Sequence, residues 1–224
     1  MLRFEFKALV AVTLVGLSEL TAPAQLVTYN AGAAGAGNSS VTPDSIAPGL
    51  SASLLAGNGL GATGTGTAFQ LGGFSTASTP SGVGYVFSLT PLSAGTIDFN
   101  SATFNFAGFR STGTQSFSLI TDITGTSSNV GTVNLVGTSQ SNYSISLSGL
   151  GNAGLVPITN GTTYTFLLDG YNSGPGVFNL NATTSLGGVF TPVPEPSTVL
   201  GLAACVMGLA CLARHRLRPF PVAG

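Results

Sequence analysis

The side chains able to do acid–base, nucleophilic or metal chemistry are few, and their positions limit what the chain can catalyse. Its 224 residues include seven acidic and six basic side chains, one histidine and two cysteines. Between Gln25 and Val193 the charged residues are Asp44, Asp98, Arg110, Asp122 and Asp169 alone. A hydrolase needs a nucleophile beside a base, a pair of carboxylates, or a metal. His215 stands between Arg214 and Arg216. It reads as a solvated member of a basic tail, so neither Ser-His nor Cys-His chemistry is expected in the middle of the chain. Asp98, Asp122 and Asp169 offer a glycosidase dyad, and Asp44, Asp122 or Asp169 with loop carbonyls a Ca²⁺ site. Their settings argue for a plainer role. Asp98 alternates onto the polar face of a strand, whereas Asp122 and Asp169 sit at strand ends beside glycine or turn residues, where carboxylates are solvated or cap Asx turns. Lone Arg110 reads as a surface residue at a strand end. No enzyme activity, metal or cofactor is expected.

Binding features are equally sparse. Gly61-Ala62-Thr63-Gly64-Thr65-Gly66 has the look of a phosphate-cradling loop but lacks the Lys-Ser/Thr pair and a helix behind it, so residues 57–66 are expected to be loop. Between Gln25 and Val193 no basic patch exists, which excludes nucleic acid as a partner. Asn38, Asn142, Asn160 and Asn181 each begin an N-x-[ST] sequon, as composition alone would supply in a Ser/Thr/Asn-rich chain. A sugar ring would need an exposed aromatic platform. The chain has no tryptophan. Tyr85, Tyr143 and Tyr164 fall on apolar strand faces, leaving Tyr29 and Tyr171 as platforms, with Asn172 beside Tyr171 as a hydrogen-bonding partner. Glycan binding through Tyr171 and Asn172 is the alternative to a purely structural role.

These residues are positioned by strands. Tyr85 and Phe87; Ile97 and Phe99; Phe104 and Phe106; Phe117 and Leu119; Val133 and Leu135; Tyr143, Ile145 and Leu147; Tyr164, Phe166 and Leu168; and Phe178 and Leu180 all alternate with small or polar residues. Glycine, proline, asparagine and serine clusters separate the runs, and no helical period intervenes. Many short half-buried strands of this kind predict an all-β, antiparallel β-sandwich, jelly-roll-like, over residues 25–190. Within it, residue 26 to residue 30 reads as a strand and the Gly/Ala/Ser-rich stretch 31–66 as partly loop. Cys205 and Cys211 lie outside this region, so its core must hold without disulfides. Weak charge predicts a sticky or matrix-embedded surface.

The two ends read as addresses. Residues 1–24 form a secretory signal peptide. Arg3 and Lys7 outweigh Glu5, residues 8–17 are apolar, and Ala22-Pro23-Ala24 is an A-x-A cleavage site. At the other end Val193-Pro194-Glu195-Pro196-Ser197-Thr198 leads into the uncharged apolar run 199–213 and then Arg214-His215-Arg216-Leu217-Arg218, before the tail 219–224. Pro194 and Pro196 keep the backbone around Glu195 extended. The run favours a helix of roughly 24 Å, short against the ~20 residues that usually span a bilayer. Arg214, Arg216 and Arg218 stop it and mark the cytoplasmic side. A plain single-span anchor is one reading of this order; a GPI signal fails because such tails end apolar.

In composition and order residues 191–218 closely resemble the PEP-CTERM sorting domain of Gram-negative bacteria that make exopolysaccharide. The residues carrying the likeness are Pro194, Glu195, Pro196, Ser197 and Thr198, the run behind them, and the three arginines. The resemblance implies export by Sec-type machinery, a transient stay in the inner membrane, and processing near the Pro-Glu-Pro motif by an exosortase, a membrane-embedded transpeptidase-like cysteine protease. It further implies a final place at the cell surface or in an exopolysaccharide or biofilm matrix. Residues 109–119 and 164–176 are more loosely similar to strand–turn segments of exported β-sandwich domains in other PEP-CTERM proteins. A non-enzymatic structural or adhesive protein is the expected function.

Overall fold

Period-2 patterning over short runs leaves each strand with one apolar face, and that face decides how the chain packs. The computed structural model describes residues 24–33, 37–62, 69–135, 138–174 and 176–194, together with Met207. In chain order the first strands are β1 (Gln25–Asn30), β2 (Ser40–Val41), β3 (Pro43–Ile46), β4 (Leu50–Ala52), β5 (Leu55–Asn58) and β6 (Gly61–Ala62). Next come β7 (Phe69–Gly72), β8 (Gly84–Pro91), β9 (Gly95–Asp98), β10 (Thr103–Arg110), β11 (Gln115–Thr121) and β12 (Ser128–Leu135). The last are β13 (Ser141–Ser146), β14 (Leu155–Ile158), β15 (Tyr164–Tyr171), β16 (Phe178–Leu180), β17 (Thr183–Gly187) and β18 (Val189–Pro192). Every pairing between them is antiparallel. The described protein is all-β.

Three sheets result. The first runs β3-β1-β17-β10-β16-β7-β6, with β13 on the other edge of β10. The second runs β12-β11-β15-β8-β5-β2, with β4 sharing the β5 edge of β8. The third is β14-β9-β18. Strands β12 and β13 are consecutive, touch each other, and occupy edges of the second and first sheets, so the chain curls from one sheet into the other there.

The inward residues of both large sheets meet in one core. Phe104 and Phe106 from β10, Phe87 from β8 and Phe117 from β11 are all buried. Their rings meet across the sheets: Phe87 stacks on Phe104 at 6.1 Å and Phe106 meets Phe117 edge-on at 5.7 Å. Each such side chain contributes about 1.5–3 kcal/mol by leaving water. That is how a chain of this size dispenses with disulfides in its described part.

Two boundaries differ from the sequence reading. Residues 40–62 form short strands although their side chains are mostly small. The edge of β8 supplies the reason: Ala56, Gly57 and Asn58 pair with Val86, Tyr85 and Gly84 and satisfy that edge's backbone groups. Gly57 also admits Leu71 and Leu60 to positions where a Cβ would collide with them, at 2.9 Å from Leu71 Cδ1. The fold also continues past residue 190, since β18 reaches Pro192 and the Val193 amide donates to the Ala94 carbonyl at 2.9 Å. The signal-peptide residues 1–23, the motif residues Glu195, Pro196, Ser197 and Thr198, Arg214, Arg216 and Arg218, and all of the apolar run but Met207 lie outside the described residues. Among the described residues no helix is long and apolar enough to cross a membrane.

Candidate functional site

Three of the four described aspartates, Asp98, Asp122 and Asp169, are committed to backbone amides. Asp98 Oδ1 accepts from the Asn100 amide at 2.8 Å, closing an Asx turn at the end of β9. Asp122 Oδ1 accepts from the Thr165 amide at 2.7 Å, tying the end of β11 to β15. Asp169 lies four residues further along β15, which puts it about 13 Å from that contact at the usual strand rise. Glycosidase carboxylates stand about 5–9.5 Å apart, so Asp122 and Asp169 do not form such a dyad. Among the described residues no three His, Cys, Asp or Glu side chains gather where a metal could sit. Asp44 is exposed and lines a cleft of about 390 Å³ with Asn30, Asn38 and Thr42.

Asp169 is not the solvated turn residue its neighbours suggested. It is fully buried, because the loop before β8 folds over it. Its Oδ2 accepts from the amides of Ser81 and Gly82, and Oδ1 has no hydrogen-bond partner. Burial holds the carboxyl above the usual carboxylate range, opposed by the two amide bonds. A carboxyl whose pKa is raised on folding favours the native state while it is protonated. That contribution is complete below the unfolded-state pKa near 3.9 and is lost as pH rises through the folded value. Asp169→Asn keeps an acceptor and removes the charge, so thermal unfolding from pH 3.5 to 7 should show a smaller decline for this variant than for the wild type. Equal slopes would show that Asp169 is not the group responsible.

Arg110 corrects the sequence reading most sharply. It ends β10 with 0% of its surface exposed and is the largest fully buried side chain of the described residues. Its guanidinium meets neutral acceptors from two loops. Nε donates to the Thr112 carbonyl at 2.8 Å, while one terminal nitrogen reaches Gln115 Oε1 at 2.9 Å, Ser173 Oγ at 2.7 Å and the Thr114 carbonyl at 3.3 Å. The other terminal nitrogen donates to the Gly174 carbonyl at 2.7 Å. Burial pulls the guanidinium below its ordinary pKa. The planar fork of donors explains why arginine occupies the site: one side chain ties the β10–β11 turn to the segment after β15.

That segment carries Tyr171 and Asn172. Asn172 is exposed, has a φ of 51°, and donates its amide to the Ala77 carbonyl at 2.7 Å. Tyr171 is half-buried on the outer face of the second sheet. Tyr29, the other proposed platform, is core. It is fully buried, tilts against Phe87 at 5.4 Å, and donates its hydroxyl to the Ser53 carbonyl.

Around Tyr171 the pairing register lines up residues that no sequence interval links. Ser116 sits opposite Tyr171 and Asn134, and its Oγ donates to Asn134 Oδ1 at 2.7 Å. In the next row Thr132, Ser118, Asp169 and Gly84 are cross-strand neighbours. Ser118 Oγ is 2.7 Å from Thr132 Oγ1, accepts from Asn129 Nδ2 at 3.3 Å, and donates to the Tyr171 hydroxyl at 3.4 Å. The row beyond is apolar, with Ile120, Leu167, Val86 and Ala56 side by side and half-buried. Then come Thr165 and Ser88. The face carries one apolar row between hydroxyl-bearing rows, about 4.8 Å per strand across, and both its carboxylate and Ser118 are covered. Sequence alternation placed these residues away from the core; only register shows which stand together.

A scan against protein-family models found no match, and neither did a search of curated proteins.

Proposed function

We propose that this is a non-enzymatic exported β-sandwich of jelly-roll type. A PEP-CTERM-like signal sorts it to the cell surface or extracellular polysaccharide matrix, where it acts as a structural or adhesive component. The observation that carries the reading is the order of parts at the C-terminal end: Pro194-Glu195-Pro196-Ser197-Thr198, an uncharged run, then Arg214, Arg216 and Arg218. Support for the sandwich comes from the two large antiparallel sheets sharing one aromatic core. Support for a non-catalytic role comes from carboxylates spent on turn and strand amides. The partners are Sec-type export machinery, an exosortase-type processing enzyme and, transiently, the inner membrane. The mass of the mature protein, taken fraction by fraction from its native host, tests this. A species ending near Glu195 and found outside the inner membrane is the expected result. An intact C-terminus through Gly224 in the inner membrane would make it a plain anchored domain.

A second reading, a glycan-binding module, is favoured by the apolar row lying between hydroxyl-bearing rows beside Tyr171. Hydroxyl and amide groups can bond sugar hydroxyls, an apolar row suits the C–H face of a ring, and the absence of exposed charge from these rows suits a neutral polymer. Titration of the purified protein with neutral polysaccharides should then show Tyr171→Ala weakening binding by about tenfold, the equivalent of roughly 1.4 kcal/mol. Equal binding by both proteins would remove Tyr171 from the contact.

A further inference from the structure

One end of the fold is uncharged, presents exposed apolar side chains among threonines, and is tethered to the run 199–213. The most exposed large apolar side chains among the described residues are Met207 at 64%, Leu92 at 63% and Val193 at 59%. Met207 belongs to the run, and the other two are neighbours in space. Strand β8 ends at Pro91, and the Leu92 amide then donates to the Gly49 carbonyl at 2.9 Å. Two residues later the Ala94 carbonyl takes the Val193 amide. Pro192 pairs with Gly95, and the Phe190 ring lies over Gly95 and Gly49, where a Cβ would come within 2.3 Å and 2.7 Å of it. Pro48, Leu92, Ala94, Pro192 and Val193 are all exposed at this end. No residue in 46–50, 91–97, 157–163 or 189–194 is charged.

Chain length fixes how far this end can stand from whatever holds the run. From Pro194 to the first apolar residue, Val199, the chain reaches at most about 18 Å when fully extended. The headgroup layer on one side of a bilayer takes up about 5–8 Å of that. Exposed apolar residues grouped in a single rim mark a contact surface, whereas scattered ones need no explanation.

We propose that Leu92, Val193 and the prolines beside them form a foot that rests in the headgroup layer of the bilayer holding residues 199–213. This rests on the reading of that run as a membrane segment. The foot orients the whole domain. Strand β8 runs from Pro91 at this end to Gly84 at the other, about 24 Å away at the strand rise. Gly84 pairs with Asp169, so Tyr171, Asn172 and the loops clamped by Arg110 sit at the membrane-distal end. While the protein is still anchored, that tip faces outward and the start of the sorting motif stays at the membrane surface, within reach of a membrane-embedded protease.

Tryptophan is absent from the chain, so single-tryptophan variants report without background. Leu92→Trp, Tyr171→Trp and Met207→Trp would each be made in the full chain and reconstituted into phosphatidylcholine vesicles carrying brominated acyl chains. Met207→Trp reports on the run, Leu92→Trp on the foot and Tyr171→Trp on the distal tip. The proposal expects strong quenching of Met207→Trp, and quenching of Leu92→Trp several-fold greater than of Tyr171→Trp. Quenched Met207→Trp with Leu92→Trp and Tyr171→Trp equally unquenched would overturn the foot and leave the membrane segment standing. An unquenched Met207→Trp would sink the membrane reading itself and the foot with it. A blue-shifted but unquenched Leu92→Trp would overturn the proposal in favour of a second copy of the chain covering this end.

Discussion

Arg110→Met is expected to lower the unfolding free energy by about 2–4 kcal/mol, a large share of the 5–15 kcal/mol typical of a domain. Methionine fills much of the same space, so the loss is not one of volume. It comes from acceptors left behind: Gln115 Oε1 and Ser173 Oγ are on buried residues, and the Thr112, Thr114 and Gly174 carbonyls lose the group that orders their loops. A buried acceptor without a donor costs about 1–3 kcal/mol, offset in part because methionine no longer has a charge to desolvate. Arg110→Lys separates this account from a simple need for positive charge. Lysine keeps the desolvation cost and cannot spread its three donors across two loops, so it should be no more stable than Arg110→Met. Urea unfolding of the three proteins measures this, and a lysine variant of near wild-type stability would refute the clamp. Because the clamp holds the segment leading from Tyr171, both variants should also raise the hydrogen-exchange rate of the Asn172 and Ser173 amides, which pair with the Ala77 and Ser75 carbonyls.

The second large effect belongs to Phe178. It comes from the three-residue strand β16 of the first sheet and meets rings from both sheets: Phe117 at 4.8 Å, Tyr85 at 6.1 Å, Phe106 at 6.4 Å and Phe74 at 6.5 Å. Phe178→Ala removes the ring on which all four converge. The expected cost is about 3–5 kcal/mol, the transfer free energy of the ring plus the void it leaves. Phe178→Leu refills part of that void and should cost clearly less. Urea midpoints should shift at constant m-value, since the surface exposed on unfolding hardly changes. A loss below about 1 kcal/mol for the alanine variant would show that the core closes over the gap or that the rings do not meet there. Gly108 guards the same contact from the neighbouring strand, because a Cβ there would fall 2.5 Å from the Phe178 ring and 2.3 Å from the Asn179 carbonyl. Substitution at Gly108 should therefore destabilise through Phe178.

Much of the core was legible before any coordinates. Alternation at Tyr85 and Phe87, at Phe104 and Phe106, and at Tyr164, Phe166 and Leu168 names buried residues correctly, because a strand with one apolar face has only one stable way to turn. Alternation failed where burial arises from long-range covering. Nothing local to Asp169 reveals that Ser81 and Gly82, almost ninety residues earlier, close over it. Nothing local to Arg110 reveals Ser173 and Gly174. Tyr29 was misread for the same reason: the segment that accepts its hydroxyl and the ring that meets it both come from later strands.

The candidate face divides in the same way. That Ser116, Ser118, Thr165 and Leu167 point away from the core follows from their neighbours in sequence. That Ile120, Leu167, Val86 and Ala56 form one row between hydroxyl rows follows from register, which strand pairing fixes and no local pattern encodes. By itself the amino-acid order determined the all-β class, the inward residues of the clearly alternating strands and the composition of the two ends, all of which depend on residues within a few positions of one another. Tertiary structure alone decided which polar groups are buried, where Arg110 and its loops lie, and that Leu92 and Val193 stand together beside the end of β18. Those depend on contacts between residues tens of positions apart, and the free energy of such contacts is set by packing that has no signature in any short window of sequence.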